Sequence, residues 1–158
     1  MPGPTLEDLF RRSYAPLVRA LTVACGDPDD AADAVQDAFV QAGRHWHRIS
    51  RYDDPAMWVR RVAVNRLANQ RRGARRRAAF LARTRDGAAE PVSSDIDLMR
   101  AVAALPPGQR LAVGLHYLAD LSVDDVAAAM EVSPGTVKSQ LHDARHALAL
   151  SKEVLDGR

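Results

Sequence analysis

Ten arginines and no acidic residue lie between Pro55 and Arg85, a local net charge of +10. A guanidinium is planar, permanently charged and able to bond two oxygens at once, so a tract of them suits phosphates and base edges. The flanking segments oppose it. Residues 1–54 carry a net −3 and residues 86–158 a net −5, so the overall +2 is a cancellation. This footprint points to a polyanionic partner. A second set of candidates lies further on. Thr136, Lys138, Ser139, Gln140, His142, Asp143 and Arg145 alternate with the apolar positions Val137, Leu141, Ala144 and Leu148. On a helix the apolar set faces inward and the polar set outward or sideways. Such groups read bases and hold phosphates in a major groove.

The elements that must position these residues all read as helix. Alanine occurs 28 times, and no β-branched run alternates long enough for a strand. Thr5 has N-cap character for a first helix carrying Leu6, Leu9, Phe10, Leu17 and Leu21, with Pro16 predicting a kink or division. Gly26-Asp27-Pro28 breaks the chain, and a second helix follows from about Asp29 to Trp46. Its apolar face is Val35, Ala38, Phe39, Ala42 and Trp46; Asp33, Gln36, Asp37 and Val40 make another face at i, i+3, i+4 and i+7. Pro55 opens a third helix that runs into the arginine tract and is expected to fray near Gly73. Residues 83–95 read as a flexible linker, with a reach of at most about 40–45 Å.

Beyond the linker the pattern is a helix-turn-helix. Ser122 caps one helix, with Asp125 three residues on, and Val123, Val126, Ala127 and Met130 bury it. The turn Glu131-Val132-Ser133 leads to Pro134 at the start of a second helix. The expected fold is therefore all-α: two small helical domains, residues 1–82 and 96–158, joined by the linker 83–95.

Several classes are excluded. One cysteine, Cys25, permits no internal disulfide, and its place at the end of an apolar helix reads as a packed small residue. The N-terminus carries Glu7 and Asp8 where a signal peptide is basic and then apolar, and no apolar run suffices to span a bilayer. A cytoplasmic protein without membrane insertion is expected. There is no phosphate-binding glycine loop, metal cluster or nucleophile motif, so neither enzyme chemistry, nor a cofactor, nor a metal is expected. His142 and His146 have metal-ligand spacing but lack a third ligand.

Four segments together carry a more specific signal: DAADAVQDAFVQA (30–42), PAMWVRRVAVNRLANQRR (55–72), ALPPGQRLAVGLHYLADLS (104–122) and SPGTVKSQLHDAR (133–145). In order and spacing the chain resembles the extracytoplasmic-function sigma factors of the sigma-70 family, with regions 2 and 4 alone. The resemblance implies a protein that binds core RNA polymerase and directs it to promoters. It implies polymerase contacts from Asp33, Gln36, Asp37 and Val40. It implies −10 contacts, to double- and single-stranded promoter DNA, from Trp58, Arg60, Arg61, Asn65, Arg66, Arg71 and Arg72. It implies −35 contacts from Thr136, Lys138, Ser139, Gln140, His142 and Arg145. A monomer is expected, with an anti-sigma factor as a family expectation. The chain departs from the family at Gln140 and Asp143, where arginine is usual, and at Gly43-Arg44, which replaces an alanine-tryptophan pair. The competing reading is a stand-alone helix-turn-helix repressor or activator, which leaves the arginine tract in the other half unexplained.

Overall fold

The computed structural model describes the backbone of residues 3–81 and 94–156, and the side chains of residues 3–73 and 97–150. Eight α-helices and one π-helical turn make up the architecture of the described residues: α1 (Leu6–Cys25), α2 (Pro28–Arg44), α3 (Trp46–Ile49), α4 (Pro55–Leu81), α5 (Ser94–Ala103), α6 (Pro107–Val113), the π-turn (Gly114–Leu118), α7 (Val123–Met130) and α8 (Pro134–Asp156). The predicted linker lies almost wholly outside the described residues; only Ser94 and Asp95 are seen, opening α5.

Local chemistry explains the helix ends. The Thr5 hydroxyl accepts from the Asp8 amide at 3.1 Å and starts α1. Gly26 closes it in the left-handed region, at φ 77°, where its amide donates to the Thr22 carbonyl at 2.7 Å. The Asp27 carboxylate then accepts from the Asp29 amide at 2.9 Å and starts α2, with Pro28 in the first turn. Ser122 caps α7 through the Asp125 amide at 3.1 Å, and Ser133 caps α8 through the Thr136 amide at 3.1 Å. Glu131 ends α7 in the left-handed region at φ 58°.

Three boundaries differ from expectation. Helix α1 runs unbroken through Pro16. The proline removes one backbone bond, but burial of Leu9 before it and Leu17, Ala20 and Leu21 after it holds both halves in line. Each fully buried leucine contributes about 1.5–3 kcal/mol. Helix α2 stops at Arg44, and the chain turns at His45 into the short α3, which buries Ile49 completely. Helix α4 continues past Gly73 to Leu81, because one glycine costs only about 1 kcal/mol in a segment otherwise rich in alanine and arginine.

The core is continuous. Leu17, Leu21, Val35, Ile49 and Val59 of the N-terminal half and Leu115, Val126, Val137 and Leu141 of the C-terminal half belong to one buried cluster. Helix α1 packs on α2 and α4 and also on α6 and the π-turn, while α4 packs on α7. Gly114 begins the π-turn, and a Cβ there would stand 2.4 Å from the Ala20 carbonyl oxygen of α1. Only glycine lets the two backbones come this close.

Candidate nucleic-acid interface

The acidic face of α2 has the predicted layout. Asp33, Gln36, Asp37 and Val40 are all exposed, while Ala34, Val35 and Ala38 between them are buried. The face is backed by aromatic rings. Phe10 stacks on Tyr14 at 4.6 Å between centroids and meets Phe39 edge-on at 5.1 Å. The Gln36 amide donates to the Tyr14 hydroxyl at 3.0 Å, so that part of the face is fixed in place. Val40 and Phe10 remain exposed beside the carboxylates.

The arginines of α4 do not form a single stripe. Successive residues turn by about 100° and rise by about 1.5 Å along a helix, so Arg60, Arg61 and Arg66 leave it in three directions, while Arg71, nearly in line with Arg60, leaves it about three turns further on. Arg60 lies 3.9 Å from the Asp54 carboxylate. Arg61 donates through Nε to the Ala128 carbonyl of α7 at 3.3 Å. Arg66 reaches the Gln41 amide oxygen of α2 at 2.7 Å, with that amide oriented to accept. Arg71 donates to the Cys25 carbonyl at the end of α1. Arg72 is exposed. Asn65 is exposed as well, and its Nδ2 donates to a Glu131 carboxylate oxygen at 3.5 Å.

A cleft of about 280 Å³ opens where the loop before α4 meets α1. It is lined by Arg12, Ser13, Trp46, Asp54, Ala56 and Arg60, among others. An aromatic edge, a carboxylate and two guanidiniums offer stacking, acceptor and donor groups in one hollow. Asn65 does not line it: five residues beyond Arg60, it lies about 140° further round the helix. Trp58 is half-buried and packs against the core, while Trp46 reaches the cleft. The sequence gave no sign of Arg12 or Ser13 in this hollow, because three separate segments form it.

In the helix-turn-helix, Thr136, Lys138, Ser139, His142 and Arg145 are exposed on α8 as predicted. The Thr136 hydroxyl lies 2.9 Å from that of Ser133. Gln140 is turned inward. A Cβ on Gly108 would stand 2.6 Å from its Nε2, and its Oε1 is buried without a partner. Reaching a base edge requires this side chain to rotate away from α6. Arg145 donates through Nε to the Tyr117 hydroxyl at 2.6 Å and lies 5.7 Å from that ring's centre. The phenol of the π-turn thus fixes where Arg145 points. Tyr117→Phe keeps the ring and removes the bond, and is expected to weaken binding to duplex DNA bearing the site of α8 by about 3- to 10-fold. Fluorescence anisotropy checks this, and an unchanged affinity would show that Arg145 needs no such support.

Cys25 is a packed residue. It is buried, its Sγ donates to the Asp27 carbonyl at 3.2 Å, and burial pushes its thiol above the ordinary range. Iodoacetamide at pH 8 is therefore expected to label the native protein at least about a hundredfold more slowly than the urea-unfolded chain, by mass spectrometry. The folded thiol titrates higher than the unfolded one. Its contribution to stability is thus complete below about pH 9 and is lost as pH rises beyond it.

These features define an all-α protein with a basic helical half and a helix-turn-helix half. Comparison with known proteins gives the class. The sigma-70 region 2 profile matches residues 9–77, and the sigma-70 region 4 profile matches residues 95–148. The chain is 33% identical over 148 residues to the ECF RNA polymerase sigma factor SigM of Mycobacterium tuberculosis, covering 90% of this chain and 74% of SigM. It is 31% identical over 157 residues to the RNA polymerase sigma-E factor of Streptomyces antibioticus, covering 96% of this chain and 85% of that one. The co-crystal structure of the sigma factor RpoE with the anti-sigma factor NepR from Bartonella quintana shares the fold, with a TM-score of 0.74 and 23% identity over 94% of this chain and 96% of that one. The chain belongs to the sigma-70 family, among its extracytoplasmic-function members. It is a sigma factor that directs transcription initiation, and the stand-alone repressor or activator reading is not favoured, since both halves match one family in one order. Among the described residues no helix is long and apolar enough to cross a membrane.

Proposed function

We propose the following division of labour. Residues 1–82 bind core RNA polymerase through Asp33, Gln36, Asp37 and Val40 and open the −10 element. Asn65, with Arg60, Arg61, Arg66, Arg71 and Arg72, engages the separating strands, and one unpaired base enters the cleft between Trp46, Arg12 and the Asp54–Arg60 pair. The unstacking cost is offset by stacking and hydrogen bonds in that hollow. Residues 96–158 read the −35 element with Thr136, Lys138, Ser139, His142 and Arg145. Gln140 joins them only when rotated outward, and Trp58 acts from the core, by positioning α4. Polymerase supplies the chemistry, so the chain works in the cytoplasm as a non-enzymatic monomeric subunit without cofactor or metal. An anti-sigma protein is part of the same reading, as for the RpoE of Bartonella quintana, which was solved with NepR.

The observation that carries the proposal is the separation of surfaces. The exposed carboxylates of α2 leave the helix apart from its buried Val35 and Ala38, and the cationic groups sit on α4 and α8. A protein partner with a basic surface and a DNA partner can then be held at once. Run-off transcription with purified core polymerase on a promoter library tests it. Promoter-dependent transcripts that need this chain are the expected result, and none above core polymerase alone would sink the proposal.

A further inference from the structure

Gly108 is a helical residue in the first turn of α6, and its φ is not positive. The backbone there does not call for glycine, and alanine would favour the helix. What the missing side chain supplies is room. A Cβ on Gly108 would stand 2.6 Å from Nε2 and 3.6 Å from Cδ of Gln140. Beyond its own helix and its chain neighbours it would meet nothing else within 4 Å. The Gln140 amide thus fills the place of the absent methyl group. A conflict with the far end of a flexible side chain is relieved by turning that side chain to another rotamer.

Gln140 has two directions open to it. On α8 it lies about 40° round from Thr136, which is exposed, and about 60° from Val137, which is fully buried. In the protein it takes the packed side, and its Oε1 is buried there without a hydrogen bond. That orphaned oxygen opposes the inward position, so the position depends on the space over Gly108. Turning the side chain out to a base would leave a void over Gly108 and fix its torsions, and both costs offset the base contact. We propose that Gly108 sets what the recognition helix reads. By seating Gln140 on α6 it leaves α8 without a base contact at that position, and a methyl group at 108 turns Gln140 into a reader of adenine, whose N6 and N7 match the donor and acceptor of an amide. Gly108 touches no DNA in this scheme; it is a positioning residue that acts through Gln140. The inference rests on the assignment of α8 to the −35 element.

Nuclear magnetic resonance of the full chain reads the seat without DNA. An Overhauser contact between the Gln140 Nε2 protons and the Gly108 α protons is expected, and its absence would overturn the proposal. Reading is measured with the chain assembled on core polymerase and a promoter library randomised across the −35 element. The unaltered chain and Gln140→Ala are expected to select the same sequences, within about threefold at every position. Gly108→Ala is expected to add an adenine preference of about tenfold at one position, and Gly108→Ala with Gln140→Ala to lose it again. Gly108→Ser repeats the displacement with a different group, and circular dichroism checks helicity in both variants. A tenfold change in selection from Gln140→Ala alone would mean that Gln140 already reads, and would overturn the proposal. So would variants at 108 that keep native helicity and select as the unaltered chain does. If neither variant folds, glycine serves the fold there and the proposal falls. A library from which the unaltered assembly selects nothing at the −35 element tells against the assignment of α8 itself, and the role of Gly108 goes with it.

Discussion

Asn65→Ala is expected to reduce open-complex formation by about 5- to 150-fold while leaving the affinity for core polymerase unchanged. The range follows from about 1–3 kcal/mol for a side chain reading a base edge, at about 1.4 kcal/mol per tenfold. The amide is suited to this because it offers donor and acceptor on one short side chain. Asn65 is exposed, so its loss should shift stability by no more than about 0.5 kcal/mol. Its bond to Glu131 is long and at the surface, and adds no more than that. Permanganate reactivity of unpaired thymines measures opening, and a fluorescence assay measures polymerase binding. An unchanged permanganate pattern, or a parallel loss of polymerase affinity, would remove Asn65 from the −10 element.

Features that depend on neighbouring residues were legible in the sequence. Thr5, Ser122 and Ser133 cap helices as their types and spacing require. The faces of α2 followed from the 3.6-residue repeat, because there a single helix decides which side is buried. The resemblance carried the family assignment. Features made by distant segments were not legible. The arginine tract reads as one block, but rotation about α4 and rise along it send its members to Asp54 in the preceding loop, Ala128 of α7, Gln41 of α2 and Cys25 of α1. Trp46, not Trp58, lines the cleft, because the turn at His45 redirects the chain there. Gln140 occupies space left by Gly108, a pairing across 32 positions that no periodicity marks. Gly114 did leave a trace. A glycine inside the apolar run Leu111-Ala112-Val113-Gly114-Leu115 costs helix stability and signals a close backbone approach. The sequence did not say that the approaching backbone would be that of the other half.

Reversing both charges on the acidic face, Asp33→Arg with Asp37→Arg, is expected to weaken binding to core polymerase by at least about a hundredfold. Like charges brought together in an interface cost several kcal/mol, and two reversals four residues apart fall on one face of α2. Misfolding is a poor explanation for such a loss. Both side chains are exposed, neither has a hydrogen bond or ion pair within the protein among the described residues, and arginine is a better helix former than aspartate. The aromatic support from Phe10, Tyr14 and Phe39 stays in place, so Val40 and Gln36 keep their positions. Competition against a labelled sigma factor for core polymerase measures the effect, with circular dichroism as the control. Binding retained at physiological salt would remove the α2 face from the polymerase contact. Binding lost together with helicity would instead mean that the fold had failed. The pairing with Asn65→Ala is what gives the result force: one variant should bind polymerase and fail to open DNA, while the other should fail before DNA is reached. A surface that served both partners would make the two variants alike.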